Sequence, residues 1–437
     1  MYSADFDVIV VGGGPAGVSA AIPLAKSGMN VLLVDRAEQK GTKSVSGGVL
    51  WGNDLEKIIL DWNKEAPIER KIIAKRIGML TETDQFTMDY RTKQWENMNV
   101  GYSVLRVKFD SWLLKKAEES GVFVINGSPI EKLAWNNGRV TGIIESGEVT
   151  TANSVIVADG ANSRIVLNEK FGGVNIKGKT EYPIENMALG IKEVYKLDEK
   201  TINDRFNITY PYGVASEYLL GFLKNGVMGG GFLYTNKESI SLGVVINLPS
   251  LKKGKLYSYD IIEDYKTHPF IAPLIEGGSL VEYSAHLIPE GGPTGVPKLA
   301  GNGYLVVGDA ASLCYSNGVV IQGMNYAIRS GMVAAETLIN AKKNNWVDKS
   351  FQEYIYRLKE NHLLEDIEML SHVDRFSWNE RLHHTYPYLI TDILNNFIGE
   401  HGNPKKHIRT IVKEARKKQG ISNLTLMRDM LSWGWRL

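Results

Sequence analysis

Three glycines near the start of the chain have the spacing of a pyrophosphate-binding turn. Gly12, Gly14 and Gly17 follow an apolar run and precede alanine-rich sequence, which predicts a buried strand, a tight turn and a helix start. Such a turn presents backbone N–H groups and the positive end of a helix dipole to a phosphate. A second apolar run ends at Asp35, where a carboxylate accepts hydrogen bonds from the hydroxyls of an adenosine ribose. These features together predict a dinucleotide-binding site.

Two later segments repeat the pattern of an apolar strand followed by small residues. One ends at Asp159 and Gly160, a pair that either closes a cofactor site or makes an ordinary turn. The other ends at Gly308 and Asp309, and Asp309 is placed to hydrogen-bond the ribityl chain of a flavin. We expect a helix to follow Asp309 directly, with its N-terminus toward the pyrophosphate.

A further helix is predicted to open within residues 318–327 and to run through Leu338. The N–H groups of Gly323 and Met324 at its start are suited to stabilising negative charge on the pyrimidine edge of a reduced flavin. The chain therefore carries candidate contacts for several parts of a flavin dinucleotide.

Three other segments each allow two interpretations. The small-residue loop at residues 43–50 either lets its backbone approach a flat ring or is a surface connection. Arg106, which precedes a predicted helix, either binds a phosphate or is solvated. Residues 229–231 are consecutive glycines in a strand context, for which we favour a β-bulge over backbone exposed to a flat ligand.

Length and composition describe an ordinary globular protein. The 437 residues suggest two or three domains, and the formal net charge of +1 gives no overall field that would attract nucleic acid. Cys314 is the single cysteine, so the chain by itself forms no disulfide and holds no cysteine-ligated iron–sulfur cluster. The histidines show no metal-binding spacing, so we expect no metal site and interpret Cys314 as a small buried hydrophobe.

The chain enters its first predicted strand within a few residues of Met1 and contains no apolar run long enough to span a bilayer. We therefore expect a cytoplasmic protein whose contact with the inner face of the cell membrane is peripheral. Residues 405–418 hold seven basic residues and one acid around an apolar stripe. We favour a solvated helix there, and the alternative is a docking face for an acidic partner or anionic lipid.

Motifs in the second half give the chain a resemblance to a known family. Taken with the glycine turn, they resemble the electron transfer flavoprotein–quinone oxidoreductases, and most closely the FixC-type proteins, within the geranylgeranyl reductase superfamily of FAD-dependent oxidoreductases. The motifs are GFLYT at 231–235, HPFIAPLIEGG at 268–278, EYSAH at 282–286 and IQGMN at 321–325.

Strand and helix patterning, together with the resemblance, predicts an α/β fold with three parts. A Rossmann-like FAD-binding domain of the hydroxybenzoate-hydroxylase or glutathione-reductase type is expected at 1–75, 101–165 and 286–345. A mixed β-sheet domain for the quinone or other substrate is expected at 76–100 and 166–285, followed by a helical C-terminal region at 346–437.

The resemblance also implies the cofactor, FAD, and the residues around it. The expected cofactor-binding residues are Gly12, Gly14, Pro15, Ala16, Gly17, Asp35, Arg36, Ser46, Gly47, Gly48, Arg106, Ile130, Asp159, Gly160, Gly308, Asp309, Gly323, Met324 and Asn325. A quinone is expected near Gly230, Gly231 and Tyr234. No residue is assigned to acid–base catalysis, because none stands out in the sequence.

The implied function is transfer of electrons from an electron transfer flavoprotein, working with a separate ferredoxin-like protein, to a membrane quinone. The separate protein is needed because the quinone oxidoreductases hold a four-iron cluster with cysteines that this chain lacks. One alternative is a geranylgeranyl-reductase-type enzyme that saturates isoprenoid lipids. Another is an electron-relay subunit that is inactive outside its complex, and a flavin monooxygenase is less favoured.

Overall fold

The protein has two large β-sheets and a helical C-terminal region. This computed structural model describes residues 4–39, 48–171, 185, 187–317, 320–370 and 377–434. The first sheet has eight strands, and its central part has the order β16-β17-β10-β1-β2-β7. Its members are β1 (Phe6–Val11), β2 (Val31–Asp35), β7 (Phe123–Asn126), β8 (Lys132–Asn136), β9 (Arg139–Glu145), β10 (Glu148–Val157), β16 (Ala300–Gly301) and β17 (Tyr304–Val306).

The centre of the first sheet is parallel and buried, and helices pack against it. β1 pairs in parallel with both β2 and β10, and β10 pairs in parallel with β17. Such buried strands are expected to be continuously apolar, as β1 and β2 are. The covering helices are α1 (Pro15–Lys26), α4 (Arg106–Glu119), α10 (Met324–Lys343) and α11 (Lys349–Glu360). α1 and α10 lie so close that a Cβ on Gly331 would be 2.2 Å from the Ala16 carbonyl oxygen.

The second sheet has nine strands in the order β15-β11-β14-β13-β12-β4-β6-β3, with β5 paired to β4. Its strands are β3 (Gly48–Trp51), β4 (Ile68–Leu80), β5 (Gln85–Arg91), β6 (Gly101–Val104), β11 (Met187–Lys196), β12 (Tyr212–Leu220), β13 (Gly229–Thr235), β14 (Ser239–Asn247) and β15 (Ser279–Pro289). One face packs on a separate hydrophobic core that includes Tyr265. The remaining short helices are α2 (Trp62–Glu65), α3 (Gln94–Asn97), α5 (Arg164–Asn168), α6 (Glu199–Phe206), α7 (Leu248–Gly254), α8 (Ser258–Thr267) and α9 (Ala272–Ile275).

Sheet membership differs from the domain ranges expected from the sequence. β3 and β6, which fall in the ranges expected for the FAD domain, pair with each other in the second sheet. β4 begins within the same ranges and also belongs to the second sheet. The expected boundaries followed changes in local patterning, whereas antiparallel pairing joins strands that are distant in sequence.

The prediction of a bulge at residues 229–231 is wrong. β13 pairs with β12 and with β14 in an unbroken antiparallel register through all of the paired glycines. The glycines are accommodated instead by close neighbours, because a Cβ on Gly231 would be 2.5 Å from the Tyr265 ring.

The prediction of a helix directly after Asp309 is also wrong. Residues Gly308–Ala311 form a single 3-10 turn, and the short hairpin of β18 (Tyr315–Ser316) and β19 (Ile321–Gln322) follows it. The turn ends at Ser312, which has a left-handed backbone with φ 57° and stops the helix from continuing. The helix expected through Leu338 is present as α10.

The C-terminal region is helical, as expected. It contains α12 (Leu363–Met369), α13 (Glu380–His384), α14 (Tyr386–Ile398), α15 (Ile408–Lys418) and α16 (Asn423–Gly434). Within the ranges that the structure describes, no helix combines the length and apolarity needed to cross a bilayer. The parallel sheet, the second sheet and the helical C-terminal region together confirm the α/β fold class.

Candidate functional site

A cavity of ≈ 660 Å³ lies between the two sheets and contacts both of them. At one end it is lined by the glycine turn after β1, here called the glycine-turn end and defined by Gly12, Gly13, Gly14 and Asp35. At the other end it is lined by the second sheet, here called the second-sheet end. That end is defined by Ile77, Met79, Phe86, Met88, Glu217, Leu219, Phe232 and Tyr234. A volume of this size is typical of a cavity that encloses a cofactor or substrate.

Backbone geometry at the glycine-turn end requires glycine. Gly12 has φ +116°, and a Cβ at that position would be 2.1 Å from the Ala158 carbonyl oxygen. A Cβ on Gly17 would be 2.0 Å from the Gly12 carbonyl oxygen, so only glycine lets α1 start this close to the turn. Gly14 has ordinary extended geometry with no atom within 4 Å of its Cβ position. The open space at Gly14 faces the start of α1, where a phosphate has room to approach the backbone.

The start of α1 lacks a protein cap. Gly14 is its N-cap, no side chain caps the first turn, and Pro15 occupies the first helical position. Helix N-termini without a cap leave N–H groups free to bind an anion. Because the uncapped terminus, the open space at Gly14 and the cavity coincide, these residues fit the pyrophosphate of a dinucleotide.

Asp35 has two roles at this end. Its Oδ2 accepts a hydrogen bond from the Gly13 N–H at 2.6 Å, and its Oδ1 accepts one from the Ala37 N–H at 2.7 Å. The carboxylate therefore helps to hold the glycine turn. Each carboxylate oxygen has a second lone pair, so the side chain still has the capacity to accept the ribose hydroxyls expected from the sequence.

Most of the expected cofactor-binding residues line this one cavity. Those that do are Gly12, Gly14, Pro15, Ala16, Asp35, Arg36, Gly48, Arg106, Ile130, Asp159, Gly160, Asp309, Gly323 and Met324. Gly17, Gly308 and Asn325 lie beside the wall rather than in it; Gly17 and Gly308 permit close packing, and the Asn325 amide donates to Gln322 at 2.8 Å. Ser46 and Gly47 lie outside the described residues.

Arg106 is neither solvated nor free to swing. Its guanidinium makes two hydrogen bonds, at 2.7 and 2.8 Å, to the carboxylate of Asp110, one turn further along α4. Burial opposes its charge, but Asp110 outweighs that cost and raises the pKa of Arg106. The Arg106 guanidinium is thus held at the cavity wall as a fixed positive charge.

Three ionisable groups meet at the junction between the sheets. Lys192 on β11 and His286 on β15 line the cavity from the second sheet, and Asp309 lines it from the first. Burial lowers the pKa of Lys192 to about 7, with Arg106 acting in the same direction. Burial also lowers the pKa of His286 and raises the pKa of Asp309, although each of these two side chains favours the charged form of the other.

Two further carboxyls in the wall are hard to ionise. Burial raises the pKa of Asp159 to about 6 and the pKa of Glu290 to about 7. Burial raises the pKa of the Cys314 thiol as well, so Cys314 stays protonated, as a small buried hydrophobe would. The described residues contain no group of three or more His, Cys, Asp or Glu side chains arranged to hold a metal ion.

The second-sheet end combines apolar side chains with one buried ion pair. The Nζ of Lys75 lies 2.7 Å from Oε2 of Glu217, and both side chains are about nine-tenths buried. The Tyr234 hydroxyl donates to Oε1 of Glu217 at 3.4 Å. Burial raises the pKa of Glu217 despite the opposing effect of Lys75.

The residues expected near a quinone are placed differently from one another. Gly230 and Tyr234 alternate with buried positions along β13 and face the cavity. Gly231 contributes backbone to the wall, but its Cβ position faces Tyr265 on the other side of the sheet.

Sequence reasoning missed Lys75, Lys192, Glu217 and the electrostatic role of His286. Lys192 and Glu217 each place an ionisable side chain within a largely buried strand, which is the signal that was present. The signal is weaker for Lys75, because β4 carries other charged residues, and it is absent for His286, because most of β15 is exposed or half-buried. That signal indicates that a charge is buried but not which other residue forms an ion pair with it. Only the strand pairing brings Lys75 and Glu217 together.

The site agrees with comparisons to known sequence families. Residues 7–162 match the family described as FAD dependent oxidoreductase, and residues 187–288 match the one described as ETF-QO, ubiquinone-binding. Fold, site and the first of these matches define a FAD-dependent oxidoreductase, and its cofactor is FAD.

Relatives that match over nearly their whole length show which family of FAD-dependent oxidoreductases this chain belongs to. The chain is 39% identical over 421 residues to the probable electron transfer flavoprotein-quinone oxidoreductase YdiS of Escherichia coli K12, covering 96% of both chains. It is 38% identical to Protein FixC of Azotobacter vinelandii, covering 94% of both. The chain belongs to the FixC and electron transfer flavoprotein–quinone oxidoreductase family.

A solved structure supports the fold. The geranylgeranyl bacteriochlorophyll reductase-like protein from Thermoplasma acidophilum superimposes with a TM-score of 0.68 at 21% identity, covering 98% of this chain and 99% of the other. At that identity the likeness concerns the fold alone.

Proposed function

We propose that this protein accepts electrons from an electron transfer flavoprotein and passes them, through FAD, to a quinone. The observation that carries the proposal is the single cavity that joins the glycine turn to the second sheet. The segment similar to the ubiquinone-binding family supplies part of the second-sheet end, including Glu217, Phe232 and Tyr234. When bound, FAD supplies reversible two-electron redox chemistry, which matches the conversion of a quinone to a quinol.

The residues of the chain bind, orient and stabilise charge. The glycine-turn end and the start of α1 bind the pyrophosphate, and Asp35 binds the adenosine ribose. Asp309 contacts the ribityl chain. Gly323 and Met324, at the start of α10, offer N–H groups and a positive dipole end to the flavin ring. The second-sheet end excludes water from the quinone.

The proposed electron donor is an electron transfer flavoprotein, working with a separate ferredoxin-like protein. The family name of the YdiS relative supports the flavoprotein donor. A cysteine-ligated cluster has to come from another chain, because Cys314 is the single cysteine here.

We also propose peripheral contact between the C-terminal region and the inner face of the cell membrane. α16 buries Asp429, which binds Arg381, and exposes apolar side chains. The exposed ones are Leu424, Met427, Met430 and Leu431, each more than half exposed. An exposed apolar helix face that follows the basic residues of 405–418 in the chain suits an anionic lipid surface.

The decisive experiment is anaerobic. FAD-loaded protein is reduced with one equivalent of dithionite, and a short-chain quinone is then added while oxidised-flavin absorbance is followed. We expect prompt reoxidation with one quinol formed per flavin. If the flavin stays reduced with quinone and is instead reoxidised by an isoprenoid lipid, with saturated products seen by mass spectrometry, the geranylgeranyl-reductase alternative is correct.

A further inference from the structure

A polar cluster lies within the apolar wall of the second-sheet end. It consists of Lys75 on β4, Glu217 on β12 and Tyr234 on β13. Ala215 pairs with Lys75 on one side and with Tyr234 on the other, and Glu217 follows two residues later on the same face of the sheet. The small side chain of Ala215 leaves the three polar groups close together. Three strands therefore converge on one point of the cavity wall.

The contacts of the cluster leave hydrogen-bonding capacity toward the cavity. Lys75 is fixed by Glu217 at 2.7 Å and lies 4.8 Å from the centre of the Trp51 ring. The Tyr234 hydroxyl donates to Glu217 at 3.4 Å, which is long for an O–H donor. A hydroxyl held that loosely can turn toward a better acceptor in the cavity. Tyr234 and Glu217 both line the cavity, whereas Lys75 lies behind them.

The surrounding wall is apolar. Ile77, Met79, Phe86, Met88, Leu219 and Phe232 line the same end of the cavity. A hydrocarbon in this space would desolvate the cluster and give it no partner, which is unfavourable for buried polar groups. A flat apolar ring that carries an oxygen acceptor satisfies both the wall and the cluster.

We propose that Tyr234 and Glu217, held in place by Lys75, bind the oxygen atoms of the quinone head group. The inference rests on the proposed function, and it adds the residues that recognise the quinone. The Tyr234 hydroxyl donates to a carbonyl oxygen of the quinone. The Glu217 carboxylate accepts a hydrogen bond from the corresponding hydroxyl of the quinol. One cluster thus serves both redox states.

Lys75 is a positioning residue in this arrangement. It touches Glu217 and the Trp51 ring but not the cavity, so it acts by fixing the carboxylate. Replacing Lys75 alone would leave the charge of Glu217 buried without its partner and would destabilise the protein. The test therefore replaces both charged side chains in one double variant, Lys75→Met with Glu217→Met.

The test compares two ligands of nearly equal shape on the oxidised, FAD-loaded protein. Menadione carries two carbonyl oxygens, and 2-methylnaphthalene carries none. Their dissociation constants are measured by equilibrium dialysis, which needs no turnover. We expect Tyr234→Phe to weaken menadione binding about tenfold, as the loss of one buried hydrogen bond does, and to leave 2-methylnaphthalene binding unchanged. The double variant is tested with the quinol form, menadiol, on the reduced protein under anaerobic conditions. We expect it to bind menadiol about tenfold more weakly, because the carboxylate that accepts the menadiol hydroxyl is gone.

Tyr265→Phe is the matched control, because it removes a buried hydroxyl from the opposite face of the sheet. It is expected to change the affinity for neither ligand. A structural effect of the cluster would weaken both ligands together, whereas recognition of oxygen changes only the ratio of the two constants.

The outcomes separate this inference from the proposed function. Suppose that quinone reoxidises the reduced flavin, that Tyr234→Phe leaves the ratio of menadione to 2-methylnaphthalene affinity unchanged, and that the double variant leaves menadiol affinity unchanged. This result overturns the inference and leaves the function intact. Failure of wild-type protein to bind menadione or to be reoxidised by a quinone overturns both.

Discussion

The glycine-turn end of the cavity is made of backbone from a short stretch of chain, whereas the second-sheet end is made of side chains from separate strands. At the first end, Gly12, Gly14 and Gly17 matter because they have no side chain. At the second, Lys75, Glu217 and Tyr234 matter because of the groups their side chains carry. The comparison shows that the residues proposed to contact the cofactor lie close together in the chain, while those proposed to recognise the quinone are brought together by strand pairing.

The largest expected effect tests the side-chain end. Lys75→Met leaves Glu217 buried without its partner and is expected to lower the free energy of unfolding by about 3–5 kcal/mol. Adding Glu217→Met removes the second charge and is expected to restore stability to within about 1 kcal/mol of wild type. Urea unfolding of the three proteins checks this. Equal stability of the single and double variants would mean that the two charges do not depend on each other.

The next effect tests the backbone end. Gly17→Ala places a Cβ 2.0 Å from the Gly12 carbonyl oxygen, so α1 has to move away from the turn. We expect a loss of about 3 kcal/mol in stability together with loss of bound FAD. Flavin content of the purified protein and its urea midpoint are the measurements. Retention of both would show that α1 moves without disturbing the site.

The third prediction concerns the pKa of Lys192, which lines the cavity from the second sheet. Its pKa of about 7 in the folded protein lies below its usual value, so the unfolded chain binds more protons between pH 7 and about 10.5. Stability from this group therefore rises with pH across that window and is constant below it. Flavin-free wild type is expected to gain about 2 kcal/mol relative to Lys192→Met between pH 7 and pH 9. Parallel curves for the two proteins would contradict this.

The smallest expected effect distinguishes Gly14, which has open space at its Cβ position, from Gly17, whose Cβ position is blocked by backbone. Gly14→Ala meets no protein atom within 4 Å, so the stability of the flavin-free protein should not change. The added methyl occupies the space proposed for a phosphate, and FAD is expected to bind about tenfold more weakly, equivalent to about 1.4 kcal/mol. FAD titration followed by fluorescence measures this. Unchanged FAD affinity would place the pyrophosphate elsewhere.

Much of the glycine-turn end could be predicted from the sequence, because its geometry depends on residues close together in the chain. Gly17 is required by its distance to the Gly12 carbonyl oxygen within the same turn, and Asp35 lies at the end of the neighbouring strand. The close contact that requires Gly12 comes from Ala158, after β10, and lies outside this local stretch. The turn between β8 and β9 is local in the same way: the Asn-Gly pair at 137–138 is typical of hairpin turns, and both residues adopt the positive φ that such turns need.

The error at the glycine-rich strand has a physical cause that sequence does not contain. Consecutive glycines suit a bulge when nothing is known about their neighbours, and here the neighbour is the ring of Tyr265, more than thirty positions away. Likewise, the helix expected after Asp309 is a single 3-10 turn because Ser312 adopts a left-handed backbone conformation, and a short hairpin follows it.

The sequence by itself therefore determined the cofactor class, the strand–turn–helix at residues 12–17 and the family resemblance, because all three depend on local spacing. The tertiary structure decided which charges meet. Lys75 and Glu217 are separated by 142 positions and form an ion pair because β4 and β12 lie side by side in parallel register. Lys192, His286 and Asp309 share one cavity because two sheets face each other there. Burial that arises from such packing shifts the pKa values of these three groups. No local sequence pattern encodes that burial.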